Sequence, residues 1–318
     1  KGFRNRGMKL FETTITKQDI QKVTELLESG DIGFGSNVKV FEDRFSEYST
    51  KKYNIGLNSA SAAAYCLFSY LYDKYGSCDV YTPSLGFTSI SWAAEKNGHR
   101  IIFVDVDDNL LFDFNSYEEQ KENTTRKKVL LPVLYGGVSN IPNFNKQVTD
   151  EIVVVDSAHC IQPTIKSDYI FFSFHPIKPL TMSCGGLLGT DDEEANEYIC
   201  SYRNFGRENV GDTYDIVNPG FNFYMNNINA TLGLSQLDTC FENIKKRKYN
   251  LEYMRESVKL EVGCFTKHDE KSSYYLGTLI LNKRGSENLR HKLIKSGCNA
   301  SFHYPYLHLS QYYNSNIP

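Results

Sequence analysis

Apolar residues first recur along this chain with a helical period. Ile20, Val23, Leu26 and Leu27 form a stripe opened by the capping pair Thr16 and Asp19 and stopped by Gly30. After the turn Gly33-Phe34-Gly35-Ser36, the residues Val38, Phe41, Phe45 and Tyr48 repeat that spacing. A further helix is expected from about Ser61 to Lys74, with Ala63, Cys66, Leu67, Tyr70 and Leu71 on one face. The pattern then changes to short apolar runs: Asp79 to Thr82, Arg100 to Val106, Lys128 to Leu134, Glu151 to Val155, Tyr169 to Phe174 and Gly186 to Gly189. Such β-rich runs separated by helical or polar segments predict an α/β domain with a mostly parallel sheet covered on both faces. A ligand is expected at the ends of those strands.

From Asn226 to about Ser257 the sequence reads as one helix bridging to a second unit. The remainder reads as strand (Tyr274 to Leu281), helix (Glu287 to Ser296) and strand (Ala300 to Tyr304), a small α+β domain. The expected division is therefore a large ligand-binding domain over 1–240 and a small C-terminal domain over 241–318. Polar Lys267 to Ser273 is the one stretch that reads as a linker.

Composition narrows the function classes. The 318 residues are 41% hydrophobic with a formal net charge of -3, and the Lys and Arg residues are scattered, so nucleic acid is not an expected partner. No apolar run is long enough to span a bilayer, and the basic start, Lys1 to Met8, has no apolar core behind it, so neither export nor membrane anchoring is expected. Cys66, Cys78, Cys160, Cys184, Cys200, Cys240, Cys264 and Cys298 show no paired spacing, which suits reduced thiols in the cytoplasm. A zinc site from His159, Cys160 and His175 is disfavoured because no second close ligand pair exists, and no metal is expected.

Four segments could carry chemistry. Lys178 follows the run ending at Phe174 and precedes the paired glycines Gly185-Gly186; in a desolvated pocket such an amine loses its proton and can form an imine with an aldehyde. A lone lysine is more often a surface residue. Asp156 ends the run Ile152 to Val155, where a carboxylate is either a helix cap or the partner of a cation such as a protonated pyridine nitrogen. Asn58-Ser59-Ala60-Ser61 opens a helix whose free N–H groups, with the hydroxyls of Ser59 and Ser61, can seat a phosphate, although such residues are also ordinary caps. Phe87, after Pro83-Ser84, is either a core residue or a face for a planar ligand.

Taken in order, these segments resemble the DegT family of nucleotide-sugar aminotransferases, pyridoxal-phosphate (PLP) enzymes of the aspartate-aminotransferase fold type I. The resemblance runs from about Glu28 to His308. It includes Asn58-Ser59-Ala60-Ser61-Ala62, Pro83-Ser84 with Phe87, Phe103 to Asp107, Pro132 to Gly137, Asp156-Ser157-Ala158-His159, Ser173 to Lys178, Arg203 to Gly206, and Gly220 to Met225. The resemblance implies Lys178 as Schiff-base lysine and proton shuttle, and Asp156 as partner of the ring nitrogen. It also implies His159 at the ring hydroxyl, Ser59, Ala60, Ser61 and Ser173 at the phosphate, and Phe87 stacked on the ring. Asn222 would reach the phosphate of a neighbouring subunit, giving a homodimer with shared sites.

The implied reaction is ping-pong transfer of an amino group from L-glutamate, through pyridoxamine phosphate, to a keto group of a nucleotide-linked deoxysugar, for amino-sugar biosynthesis. Two rivals share the fold: a pyridoxamine-phosphate-dependent sugar dehydratase, whose relatives carry histidine where Lys178 stands, and a non-catalytic regulatory protein. The chain departs from the family pattern at Ala60, Ser61, Gly86 and Leu134. It also departs at Tyr224, where arginine is usual, and at Cys184, where an acidic residue is usual. His303, Tyr304 and His308 are candidate sugar contacts. The chain ends soon after Pro305-Tyr306-Leu307-His308, and a truncated small domain is expected.

Overall fold

The computed structural model describes residues 11–144, 148, 150–257, 263–282 and 285–316; the basic start considered above lies outside them. Helix α1 (Lys17–Ser29) begins where expected. The Thr16 hydroxyl accepts from the Asp19 N–H at 3.1 Å while the Asp19 carboxylate accepts from the Thr16 N–H at 2.7 Å, a reciprocal cap, and Gly30 closes the helix at φ +76°. Only part of the expected stripe is covered. Val23 and Leu26 are half-buried, Ile20 and Leu27 remain more than half exposed, and Asp19 is buried and accepts from Gln236 Nε2 at 2.9 Å. A polar contact thus joins half of the apolar stripe in docking this helix.

Helices α2 (Ser36–Ser49) and α3 (Ala60–Tyr75) follow the expected bounds closely. Strand β1 (Tyr53–Leu57) between them has no counterpart in the sequence reading. Strands β2 (Asp79–Pro83), β3 (Arg100–Val104), β4 (Lys128–Leu130), β5 (Ile152–Asp156), β6 (Tyr169–Ser173) and β7 (Gly186–Thr190) complete a seven-stranded sheet in the order β1-β7-β6-β5-β4-β2-β3. Only β7 runs against the rest. Two buried clusters cover its faces. Along β5, Val153 and Val155 join the cluster of Phe41, Phe45 and Leu237, while Ile152 and Val154 join that of Ala63, Leu67 and Leu71. Period-two alternation thus feeds apolar side chains to both sides, as a doubly covered sheet requires.

Helices α4 (Thr88–Lys96) and α5 (Phe114–Gln120) accompany β2 and β3, and α6 (Glu193–Tyr202) follows β7. An exposed hairpin of β8 (Arg207–Val210) and β9 (Thr213–Ile216) comes next. The helix expected over Asn226 to Ser257 is two, α7 (Asn227–Leu237) and α8 (Cys240–Ser257), separated at Asp238-Thr239. Beyond it, β10 (Gly263–Phe265) pairs with β11 (Leu279–Leu281), and α9 (Ser286–Lys295) matches the expected helix. The α/β architecture with a largely parallel sheet and small additional sheets is therefore the expected one. No helix among the described residues is long and apolar enough to cross a membrane.

Two expectations in the C-terminal part are corrected. Ala300 to Tyr304 is not a strand; it is an irregular segment that meets loops after the sheet strands, the Tyr135 hydroxyl donating to the His303 carbonyl and the Tyr304 hydroxyl meeting His159. Lys267 to Ser273 is not a free linker. The Asp269 carboxylate accepts from the Ser139 N–H at 2.7 Å, the Ser273 N–H donates to the Gly137 carbonyl at 2.7 Å, and the Ser273 hydroxyl accepts from the Ile161 N–H at 2.9 Å. Its polar side chains read as solvated, but their partners are backbone groups far away in sequence. Gly137 permits this approach: at φ +95° a Cβ there would lie 2.9 Å from the Tyr275 nitrogen.

Candidate active site

The C-terminal ends of the parallel strands bring the candidate residues to one edge. Asp156 ends β5, Ser173 ends β6, Pro83 ends β2, and Leu57 ends β1 just before Asn58. Gly186, the first residue of β7, stands opposite both Ser173 and Leu57 in register. A Cβ on Gly186 would lie 2.2 Å from the Ala60 nitrogen and 2.2 Å from the Ser59 carbonyl carbon. The glycine therefore lets the start of α3 press against the sheet beside Ser173. Ser59 caps α3, its hydroxyl accepting from the Ala62 N–H at 3.1 Å. The first N–H groups of a helix have no partner within it, so those of Ala60 and Ser61 point outward at its positive end.

Lys178 lies in the loop from Ser173 to Gly186. Its amine is largely buried, and its pKa is pulled down to about 8 by that burial, with the Asp156 charge acting in the opposite direction. Its Nζ sits 4.5 Å from the centre of the Tyr275 ring. The Asp156 carboxylate is fully buried; it accepts from the Ala158 N–H at 2.9 Å, and burial raises its pKa against the opposing influences of that N–H and of Lys178. His159 is also buried. Its pKa is held well below the ordinary imidazole range by burial first, and then by Lys178 and His303.

An aromatic wall closes the pocket. The Tyr275 ring lies 4.4 Å from that of His159, Tyr304 contacts His159 Nε2 through its hydroxyl at 3.1 Å, and Phe87 meets the Tyr304 ring edge-on at 5.8 Å. Phe87 is more than half exposed, which leaves ring surface free and removes it from the core. Tyr275 and Tyr135 were not singled out from the sequence. Nothing short-range marks them: Tyr275 arrives on the strap that contains Ser273, and Tyr135 sits after β4, where its hydroxyl donates to the His303 carbonyl.

The remaining candidates fall around this core. The Asn222 side chain is exposed, and its carbonyl accepts from Asn58 Nδ2 at 3.2 Å. Ser173 is half-buried, with its hydroxyl 3.5 Å from the His175 N–H. His308 Nδ1 meets the Ser84 hydroxyl at 2.9 Å. Tyr224 packs on Phe34 with ring centres 5.3 Å apart, and Cys184 is an exposed thiol. Among the described residues no group of three His, Cys, Asp or Glu side chains could hold a metal ion.

Two observations test whether the pocket suits PLP. A fully buried carboxylate destabilised by burial needs a cation, which a protonated ring nitrogen supplies. His159 Nδ1 is buried with no hydrogen-bond partner among the described residues, as a group reserved for a ligand would be. Both fit the cofactor.

The architecture is that of the fold type I PLP-dependent enzymes. It superposes on PseC of Helicobacter pylori, an aminotransferase involved in the biosynthesis of pseudoaminic acid, with a TM-score of 0.89 over 98% of this chain and 89% of that one, at 23% identity. The chain belongs to the DegT/DnrJ/EryC1/StrS aminotransferase family, whose sequence model matches residues 13–318. It is similar to the Streptococcus pneumoniae protein Spr1654, solved in a PMP-form and a PLP-form, with TM-scores of 0.89 and 0.85 at 25% identity over 98% of this chain and 87% and 88% of those. Among curated proteins it is 28% identical to the spore coat polysaccharide biosynthesis protein SpsC of Bacillus subtilis, across 95% of this chain and 84% of that protein. It is 26% identical to the UDP-4-amino-4,6-dideoxy-N-acetyl-beta-L-altrosamine transaminase of Campylobacter jejuni, across 91% and 81%.

Proposed function

We propose that this chain moves an amino group from L-glutamate to a keto group of a nucleotide-linked deoxysugar, with PLP held at Lys178. The observation that carries the reading is the pairing, at one strand-end pocket, of a buried amine with its pKa lowered to about 8 and a buried carboxylate in need of a cation. The glutamate donor and the sugar acceptor rest on kinship with the family and on names such as that of the Campylobacter transaminase.

When bound, the cofactor supplies the electron sink that makes the amino-bearing carbon acidic. Lys178 would hold its carbonyl carbon, and its free amine would take the proton from the donor's α-carbon and return it across the pocket. A surface lysine, almost wholly protonated at neutral pH, is a poor base, and burial corrects this. Asp156 keeps the ring nitrogen protonated. Ser173 and the outward N–H groups of Ala60 and Ser61 bind the phosphate, an anion at a helix start. Phe87 covers one ring face, and the aromatic wall of Tyr275 and Tyr304 excludes water. Asn222 serves the site of a neighbouring subunit in a homodimer.

The test is an absorption spectrum of the purified protein with PLP. A visible band should form and shift when L-glutamate is added, and Lys178→Ala should abolish both band and turnover. Normal turnover by Lys178→Ala would overturn the assignment. A panel of keto-sugar nucleotides then identifies the acceptor.

A further inference from the structure

His159 contributes a buried ring whose two nitrogens are in unlike situations. Nε2 lies 3.1 Å from the Tyr304 hydroxyl, whereas Nδ1 has no partner. Burial and the nearby Lys178 and His303 keep the ring neutral at pH 7, so it carries one N–H and one lone pair. Which nitrogen bears the proton decides what the pocket offers a ligand.

We propose that Tyr304 is a positioning residue that sets the tautomer of His159: its hydroxyl donates to Nε2, which leaves the ring proton on Nδ1 as a donor for the phenolic oxygen of the cofactor. The inference rests on the reading of the pocket as a PLP site. The alternative tautomer places a lone pair on the buried Nδ1, facing an oxygen that is itself an acceptor, and two acceptors repel. Burial raises the Tyr304 pKa far above its ordinary value, so the hydroxyl keeps its proton; it meets the Tyr275 hydroxyl as well as Nε2, and directing that proton at Nε2 leaves the ring proton to Nδ1.

Tyr304 is also held in place. The His303 carbonyl accepts from the Tyr135 hydroxyl, and on the other side the Leu307 N–H donates to the Ser84 carbonyl at 2.8 Å while His308 meets the Ser84 hydroxyl at 2.9 Å. Between these tethers the Tyr304 ring rests edge-on against Phe87. The C-terminal segment thus spans the loops after β4 and β2 and delivers one hydroxyl to one nitrogen.

The decisive measurement is the 15N spectrum of histidine-labelled apoprotein, with the His159 signals assigned by their loss in His159→Gln. The wild-type chain should show a protonated Nδ1 and an unprotonated Nε2. In Tyr304→Phe, which keeps the ring against Phe87, the proton should redistribute toward Nε2, and PLP binding should weaken about five- to ten-fold. In a His159→Gln background the same Tyr304→Phe change should have no further effect on PLP binding, because the amide brings its own N–H. A wild-type His159 protonated on Nε2, or an undiminished penalty in the His159→Gln background, overturns the proposal. The tautomer of the wild-type apoprotein needs no role for Lys178, so it is decided separately from the Lys178→Ala test.

Discussion

Reductive methylation of the apoprotein over a range of pH should separate Lys178 from the solvent-facing lysines. The reaction needs a neutral amine, and formaldehyde is small enough to enter the pocket. With its pKa lowered from 10.5 to about 8, Lys178 has roughly a quarter of its amines neutral at pH 7.5, against on the order of one in a thousand for an ordinary lysine. After allowance for restricted access, the peptide containing Lys178 should be modified far ahead of the others, with a rate midpoint near pH 8. Mass spectrometry of digested protein reads the profile site by site. Asp156→Asn gives the sign: the carboxylate favours the charged ammonium, so removing it should move the midpoint lower and raise the rate at neutral pH. A midpoint in the ordinary lysine range, or an upward move in Asp156→Asn, would show that burial does not tune this amine.

Gly186→Ala should cost about 3 kcal/mol in urea denaturation and weaken PLP binding, because the new Cβ meets the Ala60 and Ser59 backbone, which cannot step aside cheaply. Wild-type stability and affinity in that variant would count against a seat formed by close approach of α3 and β7. Glu42→Gln should cost about 3–5 kcal/mol, since it strands the buried Arg203 guanidinium that now pairs with Glu42 at 2.5 Å. Chemical unfolding measures that loss, and adding Arg203→Met should recover most of it.

Much of this was legible in the sequence, and the failures have physical causes. Short apolar runs and helical spacing located β2 to β7 and α1 to α3, since both patterns arise from local geometry. Strand β1 was not visible because Asn54 and Gly56 interrupt its short apolar run, and its burial comes from pairing with β7. The break at Asp238-Thr239 carries neither glycine nor proline, so the two helices read as one. Lys178 and Asp156 could be picked out because one follows a strand end and the other forms one, whereas His159 came from the family resemblance. Tyr275 and Tyr135 could not, because their place in the pocket depends on a strap whose partners lie more than a hundred residues upstream. The stripe of Ile20, Val23, Leu26 and Leu27 shows the converse error, a sound helix of which only Val23 and Leu26 are partly covered.

The reversed direction of β7 has a consequence for how such a pocket changes. Ser173 and Gly186 face each other as adjoining rungs, so the stretch that holds Lys178 is pinned at both ends to the stiffest part of the molecule. The tyrosines opposite are borne by the far end of the chain, tethered through a few hydrogen bonds. Substitutions there can remodel the acceptor's side of the cavity while amine reactivity stays as it was, so the two properties are free to drift apart during divergence.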